Sequence, residues 1–113
     1  MAKTVQIHKN FWPWGESVTC IWPDGCAMVE LSFSNDNKGV AYLSGLSVIP
    51  EMRRKGVATT LMMWAEDYCE NREIFRIDLS SVKEQFVMDF YHKLGYIDIK
   101  EDSGFMMMYK MIR

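Results

Sequence analysis

The chain has 113 residues, enough for one domain with a sizeable core. Hydrophobic residues make up 49% and charged residues 25%, the balance of a soluble globular protein rather than a disordered one. The formal net charge of −2 excludes the broad basic surface of a general nucleic-acid binder, so any basic cluster must be local. Cys20, Cys26 and Cys69 are odd in number and lack paired metal-ligand spacing, so neither a disulfide framework nor a metal site is expected, and the thiols read as half-buried in a reducing cytosol. Lys3, Gln6, His8 and Lys9 interrupt any apolar run after Met1, and no stretch approaches the about 18 apolar residues of a membrane helix. We expect a cytoplasmic protein with no membrane partner.

Residues 4–8 alternate Val5 and Ile7 with polar neighbours and read as a strand. Residues 10–15, Asn-Phe-Trp-Pro-Trp-Gly, read as a turn. Residues 17–22 and 26–33 are two further strands about a Pro-Asp-Gly turn. Residues 35–39, Asn-Asp-Asn-Lys-Gly, lead into a fourth strand over 40–49. The first half is thus an antiparallel meander.

The stretch 46–63 then changes period. Leu46 and Val48 share one face of an extended segment, and Pro50 stops it. Arg53, Arg54 and Lys55 precede Gly56. From Val57 the apolar spacing becomes helical, with Leu61, Trp64, Ala65 and Tyr68 on one face of a helix ending near Asn71. A fifth strand covers 74–79. Ser81 to Glu84 fits a capping box. A second helix carries Phe86, Val87, Phe90 and Leu94, with Tyr91 at the rim of that stripe and Gly95 at its C-terminal end. Residues 96–100 and 105–112 form a last hairpin. The fold class is α/β (α+β): a mixed, mostly antiparallel sheet with a strand–loop–helix unit at its centre, in one domain over 1–113. The crossover from the fourth to the fifth strand should be parallel.

A basic glycine turn that opens a helix is an anion site in elementary terms. Free N–H groups of the first turn, the positive dipole end and flanking cations converge there. Gly56 lets the backbone approach the anion. No Lys-Ser/Thr follows the glycine, so this is not a nucleotide P-loop.

Arg53-Arg-Lys-Gly-Val-Ala58 has the form R/Q-x-x-G-x-G/A, and Phe90-Tyr-His-Lys-Leu-Gly-Tyr96 stands downstream. Together, with the elements between them, these motifs resemble the GNAT acetyltransferase superfamily over roughly residues 40–113. The resemblance implies acetyl-CoA as cosubstrate, no metal, and a primary amine as acceptor. It implies that Leu46, Ser47 and Val48 pair their backbones with the pantetheine arm. Arg53, Arg54, Lys55, Gly56, Val57, Ala58 and Thr59 would cradle the pyrophosphate. Tyr91 would protonate the departing thiolate, and Gln85, six residues before it, stands where many members have Asn. Two departures are visible. The two helices that many members carry between their first two strands are replaced here by the short Trp-Pro-Trp-Gly stretch, so a homodimer that completes the acceptor side is a further expectation. Tyr42 stands where some members have a glutamate base.

Acyl transfer from a thioester needs a diphosphate site, an oxyanion donor, a neutral amine and an acid for sulfur. Unpaired N–H groups near Val48 would serve the oxyanion if the fourth and fifth strands splay. For the amine proton, Glu30, Asp98, Glu101, Asp102 and an ordered water stay open. Two other readings accompany the enzyme: a non-catalytic acyl-CoA-binding or sensing module, and a plain interaction domain with a fortuitous loop.

Overall fold

The computed structural model describes residues 5–113, so the expectation for Thr4 lies outside them. Seven strands form one sheet: β1 (Gln6–Trp12), β2 (Gly15–Ile21), β3 (Ala27–Ser34), β4 (Val40–Val48), β5 (Arg76–Val82), β6 (Ile97–Asp102) and β7 (Phe105–Met111). Helix α1 (Val57–Asn71) follows β4, and α2 (Gln85–Lys93) follows β5. The strand order is β1-β2-β3-β4-β5-β7-β6. Only β4 and β5 pair in parallel; every other neighbouring pair is antiparallel. This is the mixed sheet the periodicity predicts, with α1 as the crossover between its two parallel strands. Neither helix is long and apolar enough to cross a membrane.

Both helices lie on one face of the sheet. Val57, Leu61, Met62, Ala65 and Cys69 of α1 are buried against Val29, Leu31, Ala41 and Leu43. Tyr96, just past α2, donates to Glu66 Oε2 of α1 at 3.2 Å, and Lys110 Nζ of β7 reaches Glu66 Oε1 at 2.7 Å. At the far end of α1, the Arg72 guanidinium lies 4.3 Å from the Phe33 ring centre, donates to the Tyr68 hydroxyl and pairs with Glu16 of β2. Neither helix crosses the opposite face, whose register row carries Thr19, Glu30, Ser32, Tyr42 and Ser80.

Several expectations are corrected. Residues 10–15 are not all turn: β1 runs through Trp12, which pairs with Gly15, and the turn is Pro13 and Trp14 alone. Asn35 holds it, its N–H donating to the Trp14 carbonyl at 2.8 Å and its side-chain amide to the Pro13 carbonyl at 3.1 Å. Every residue of β1 is exposed despite its alternation, because no helix follows it to cover either face. Trp12 and Trp14 stack at 6.3 Å, both about half exposed, while Trp22 packs on the core. The fifth strand begins and ends later than expected, because Ile74 and Phe75 bond back to Cys69 and Gly39 in the connection. Ser81 is therefore a strand residue, buried and paired with Met106, and it caps nothing. Helix α2 starts after Glu84 without any side-chain cap. Cys20 and Cys69 are fully buried rather than half-buried, and burial pushes the Cys69 thiol up to about 12.

The tight β1–β2 hairpin rests on Gly15. A Cβ there would overlap the Phe33 carbonyl of the neighbouring strand. Gly15→Ala should therefore cost about 1–3 kcal/mol by overpacking a site whose nearest atoms are backbone. Urea unfolding checks this; an unchanged midpoint contradicts the close β2–β3 approach.

Candidate functional site

The sheet opens where its two parallel strands part. Pairing runs Val40–Arg76, Ala41–Ile77, Tyr42–Asp78 and Leu43–Leu79, then stops. Yet β4 continues to Val48 and β5 to Val82. The backbone groups within residues 44–48 that face β5, those of alternate residues, thus have no strand partner. A bulge marks the departure: Glu30 of β3 faces Gly45, Leu31 faces Leu43, and Ser44 is the extra residue between. A bulge strengthens local twist and bends its strand, which turns β4 away from β5 at this point. The glycine inside the strand was the available sequence signal for it. Leu46 and Val48 send their side chains into the core, so their main chain is held rigidly along the cleft.

Beyond Val48 the chain makes one 3₁₀ turn over Pro50–Met52. Arg53 then bonds back, its Nε 3.1 Å from the Val48 carbonyl, tying the loop to the end of β4. Arg54 and Gly56 both take left-handed backbone, at φ 63° and 78°. Gly56 is the N-cap residue just before α1 and has open space on the side where a Cβ would stand. Its carbonyl accepts from the Thr60 N–H at 3.0 Å and the Thr60 hydroxyl at 2.9 Å. No side chain caps the N–H groups of Val57, Ala58 and Thr59. Arg53, Arg54 and Lys55 are exposed and take part in none of the ion pairs among the described residues. Uncapped donors, a dipole end and unneutralised cations favour an anion here.

The other wall is β5, against which α2 packs. Tyr91 is not at the rim as its spacing suggests. It is the one buried residue of α2, at 7% exposure, while Phe86 of the expected stripe is 72% exposed. Val87, Met88, Phe90 and Leu94 pack against the core beside Tyr91, so of the expected stripe only Phe86 faces away from it. The Tyr91 ring packs edge-on against Phe90 and Tyr96, at 5.2 and 5.9 Å. Among the described residues no buried side-chain oxygen or nitrogen lacks a partner. Among the described residues the Tyr91 hydroxyl has no hydrogen-bond partner, so its oxygen keeps an opening to solvent. Burial raises its pKa above the ordinary 10, so the phenol holds its proton at neutral pH. Gln85, at the start of α2, donates to Asp89 Oδ1 at 2.8 Å.

The structure thus brings residues 46–59 together as one continuous cleft wall and loop, with Tyr91 and Gln85 on the helix that packs on the facing strand. It separates the candidate bases. Asp98, Glu101 and Asp102 lie on β6, the far edge of the sheet, with Asp98 paired to His92 and Glu101 to Lys83. Glu30 lies beside the bulge. Tyr42, at the expected base position, donates to Ser80 Oγ at 3.2 Å across the last paired rungs of β4 and β5. No cluster of metal-ligating side chains exists among the described residues. A groove of about 500 Å³ lined by Phe11, Trp12, Phe33, Asn35, Lys38 and Arg72 sits at the other end of the sheet, where β4 begins.

The same fold occurs in solved acetyltransferases. The PaiA N-acetyltransferase from Thermoplasma acidophilum, solved in complex with coenzyme A, is 22% identical, with a TM-score of 0.73 over 84% of this chain and 59% of that one. An acetyltransferase of the GNAT family from Staphylococcus aureus is 18% identical, with a TM-score of 0.70 over 88% of this chain and 68% of that one. A nourseothricin acetyltransferase is 20% identical, with a TM-score of 0.65 over 86% and 64%. The chain therefore spans about three-fifths to two-thirds of the length of these neighbours. The family model described as acetyltransferase (GNAT) matches residues 3–96, the span that includes the parting strands, the glycine loop and Tyr91. On that match, this chain belongs to the GNAT acetyltransferase family.

Proposed function

We propose that the chain is an N-acetyltransferase that moves an acetyl group from acetyl-CoA to a primary amine by direct attack. The observation that carries this is the open backbone edge of Ser44 to Val48, which leads directly into an uncapped, cationic helix start. A ligand suited to both must be an extended amide chain joined to a diphosphate, and the pantetheine arm of CoA is such a chain. Its amides would complete the interrupted ladder of β4. The diphosphate would take the N–H groups from Gly56 to Thr59, with Arg54 and Lys55 adding charge. Arg53 serves the same end by fixing the loop to β4 through the Val48 carbonyl.

When acetyl-CoA is bound, its thioester supplies the electrophile. This chain's residues supply position and proton transfer. The backbone near the bulge is free to donate to the developing oxyanion, and preorganised donors of this kind are worth about 3–4 kcal/mol in acyl transfer. Tyr91 gives its proton to the sulfur as the C–S bond breaks. A protonated phenol whose oxygen is still open can give that proton. The rival reading, an acyl-CoA-binding module without catalysis, shares the donor site and differs only in releasing no free thiol when amine is present.

Two outcomes follow. Arg53→Ala with Arg54→Ala should weaken CoA binding by 10-fold or more in calorimetry, since charge-assisted hydrogen bonds contribute about 1.5–3 kcal/mol each; unchanged affinity contradicts the loop assignment. Tyr91→Phe should lower turnover about 100-fold or more while leaving the Kd for CoA within about 3-fold, as loss of a general acid does. Full activity in that variant removes the hydroxyl from the mechanism.

A further inference from the structure

The helix-free face of the sheet carries a hydroxyl–carboxylate network beside the parting strands. Ser44, the bulged residue, donates to Glu30 Oε1 at 2.7 Å. Thr19 Oγ1 donates to Glu30 Oε2 at 3.3 Å. Ser32 Oγ donates to Ser44 Oγ at 3.2 Å. Glu30 is half-buried, has no cationic partner among the described ion pairs, and stands opposite Gly45, where the cleft opens. Gly45 lies directly beside Glu30: a Cβ built on it would stand 3.9 Å from the Glu30 Cβ, an ordinary contact distance.

A carboxylate held by two hydroxyls and lacking a cation is arranged to receive one. We propose that Glu30 takes the ammonium form of the acceptor on this face and removes its proton. The proposal rests on the acetyl-CoA reading above and extends it to the acceptor half. The balance is direct. R–NH₃⁺ gives one proton to the Glu30 carboxylate. The freed lone pair of R–NH₂ forms the C–N bond at the thioester carbon. The C–S bond breaks, and the thiolate takes the Tyr91 proton. The nitrogen's second proton passes to solvent water as the tetrahedral centre collapses to the amide. Glu30 and Tyr91 return to their starting states through solvent. The acceptor class follows: an amine that is cationic at neutral pH. Asp98, Glu101 and Asp102 do not serve this role, because β5 and β7 separate their strand from β4.

The test uses two small primary amines with the whole protein and acetyl-CoA, reading free thiol. n-Butylamine is cationic at neutral pH and must lose a proton before it attacks. Methoxyamine is already neutral. Glu30→Gln should lower turnover of butylamine by about 100-fold or more, the usual contribution of a general base, and lower that of methoxyamine far less. Glu30→Asp should recover part of the butylamine rate. Calorimetry with CoA and thermal unfolding accompany each variant, so that a folding defect is seen as such. Equal losses with both amines, or no loss with either, overturn the Glu30 assignment while leaving CoA binding intact. Binding of CoA by wild type with no thiol release from either amine overturns it together with the enzyme reading. Absence of CoA binding is a distinct result and removes the donor site itself.

Discussion

The proposed function depends on one interrupted ladder. Strands β4 and β5 share four paired positions and then separate, leaving main-chain groups on β4 without a strand partner. Backbone N–H and C=O groups are obligatory hydrogen-bonding groups, and leaving one buried and unpaired costs about 1–3 kcal/mol. A protein keeps such an edge only where water or a ligand completes it. The extra residue at Ser44 produces the parting, and the proline turn after Val48 prevents β4 from rejoining its neighbour. The crossover helix then starts where the cleft ends. Chain-like and anionic binding features are therefore consecutive in sequence, which is why a loop of a few residues serves both.

The rest of the molecule holds that gap open. The core lies on one side only, between the sheet and two helices. Leu46 and Val48 are anchored in it from β4, and Ile77 and Leu79 from β5. Fully burying a side chain such as Ile77 or Leu79 contributes about 1.5–3 kcal/mol, and the half-buried Leu46 and Val48 gain less, so both walls are held from behind while their facing edges stay free. The Tyr96–Glu66–Lys110 cluster joins α1 to the last hairpin, and Arg72 closes the other end of α1 onto β2 and β3. One face of the sheet is thereby left to polar side chains. That face borders the cleft and carries Glu30, so the same one-sided architecture that holds the proposed donor site leaves a polar face for the proposed acceptor.

The strand-to-helix switch at residues 46–63 was legible because each signal was local: a change of period, a proline, three cations and a glycine. The order of elements and the parallel pairing followed from the same periodicities. The bulge was harder, since it is a property of two strands together and only Gly45 hinted at it. Tyr91 was located correctly on its helix but not in its burial. Its rim position came from a stripe that included Phe86; Val87, Phe90 and Leu94 of that stripe do pack on the core, while Phe86 at the first turn is exposed. Glu30 could be named only as one of several carboxylates, because its standing depends on which strands are neighbours. The exposed β1 shows the converse: an alternating stretch forms the expected strand, yet among the described residues no helix covers it.

Amide hydrogen exchange on the free and CoA-bound protein addresses the interrupted ladder most directly. Amides within 44–48 that lack a β3 partner should exchange freely in the free protein, and CoA should slow them together with those of residues 56–59. If CoA binds with no protection in either stretch, or protects instead the groove around Trp12 and Arg72, the cleft between β4 and β5 is not the cofactor site.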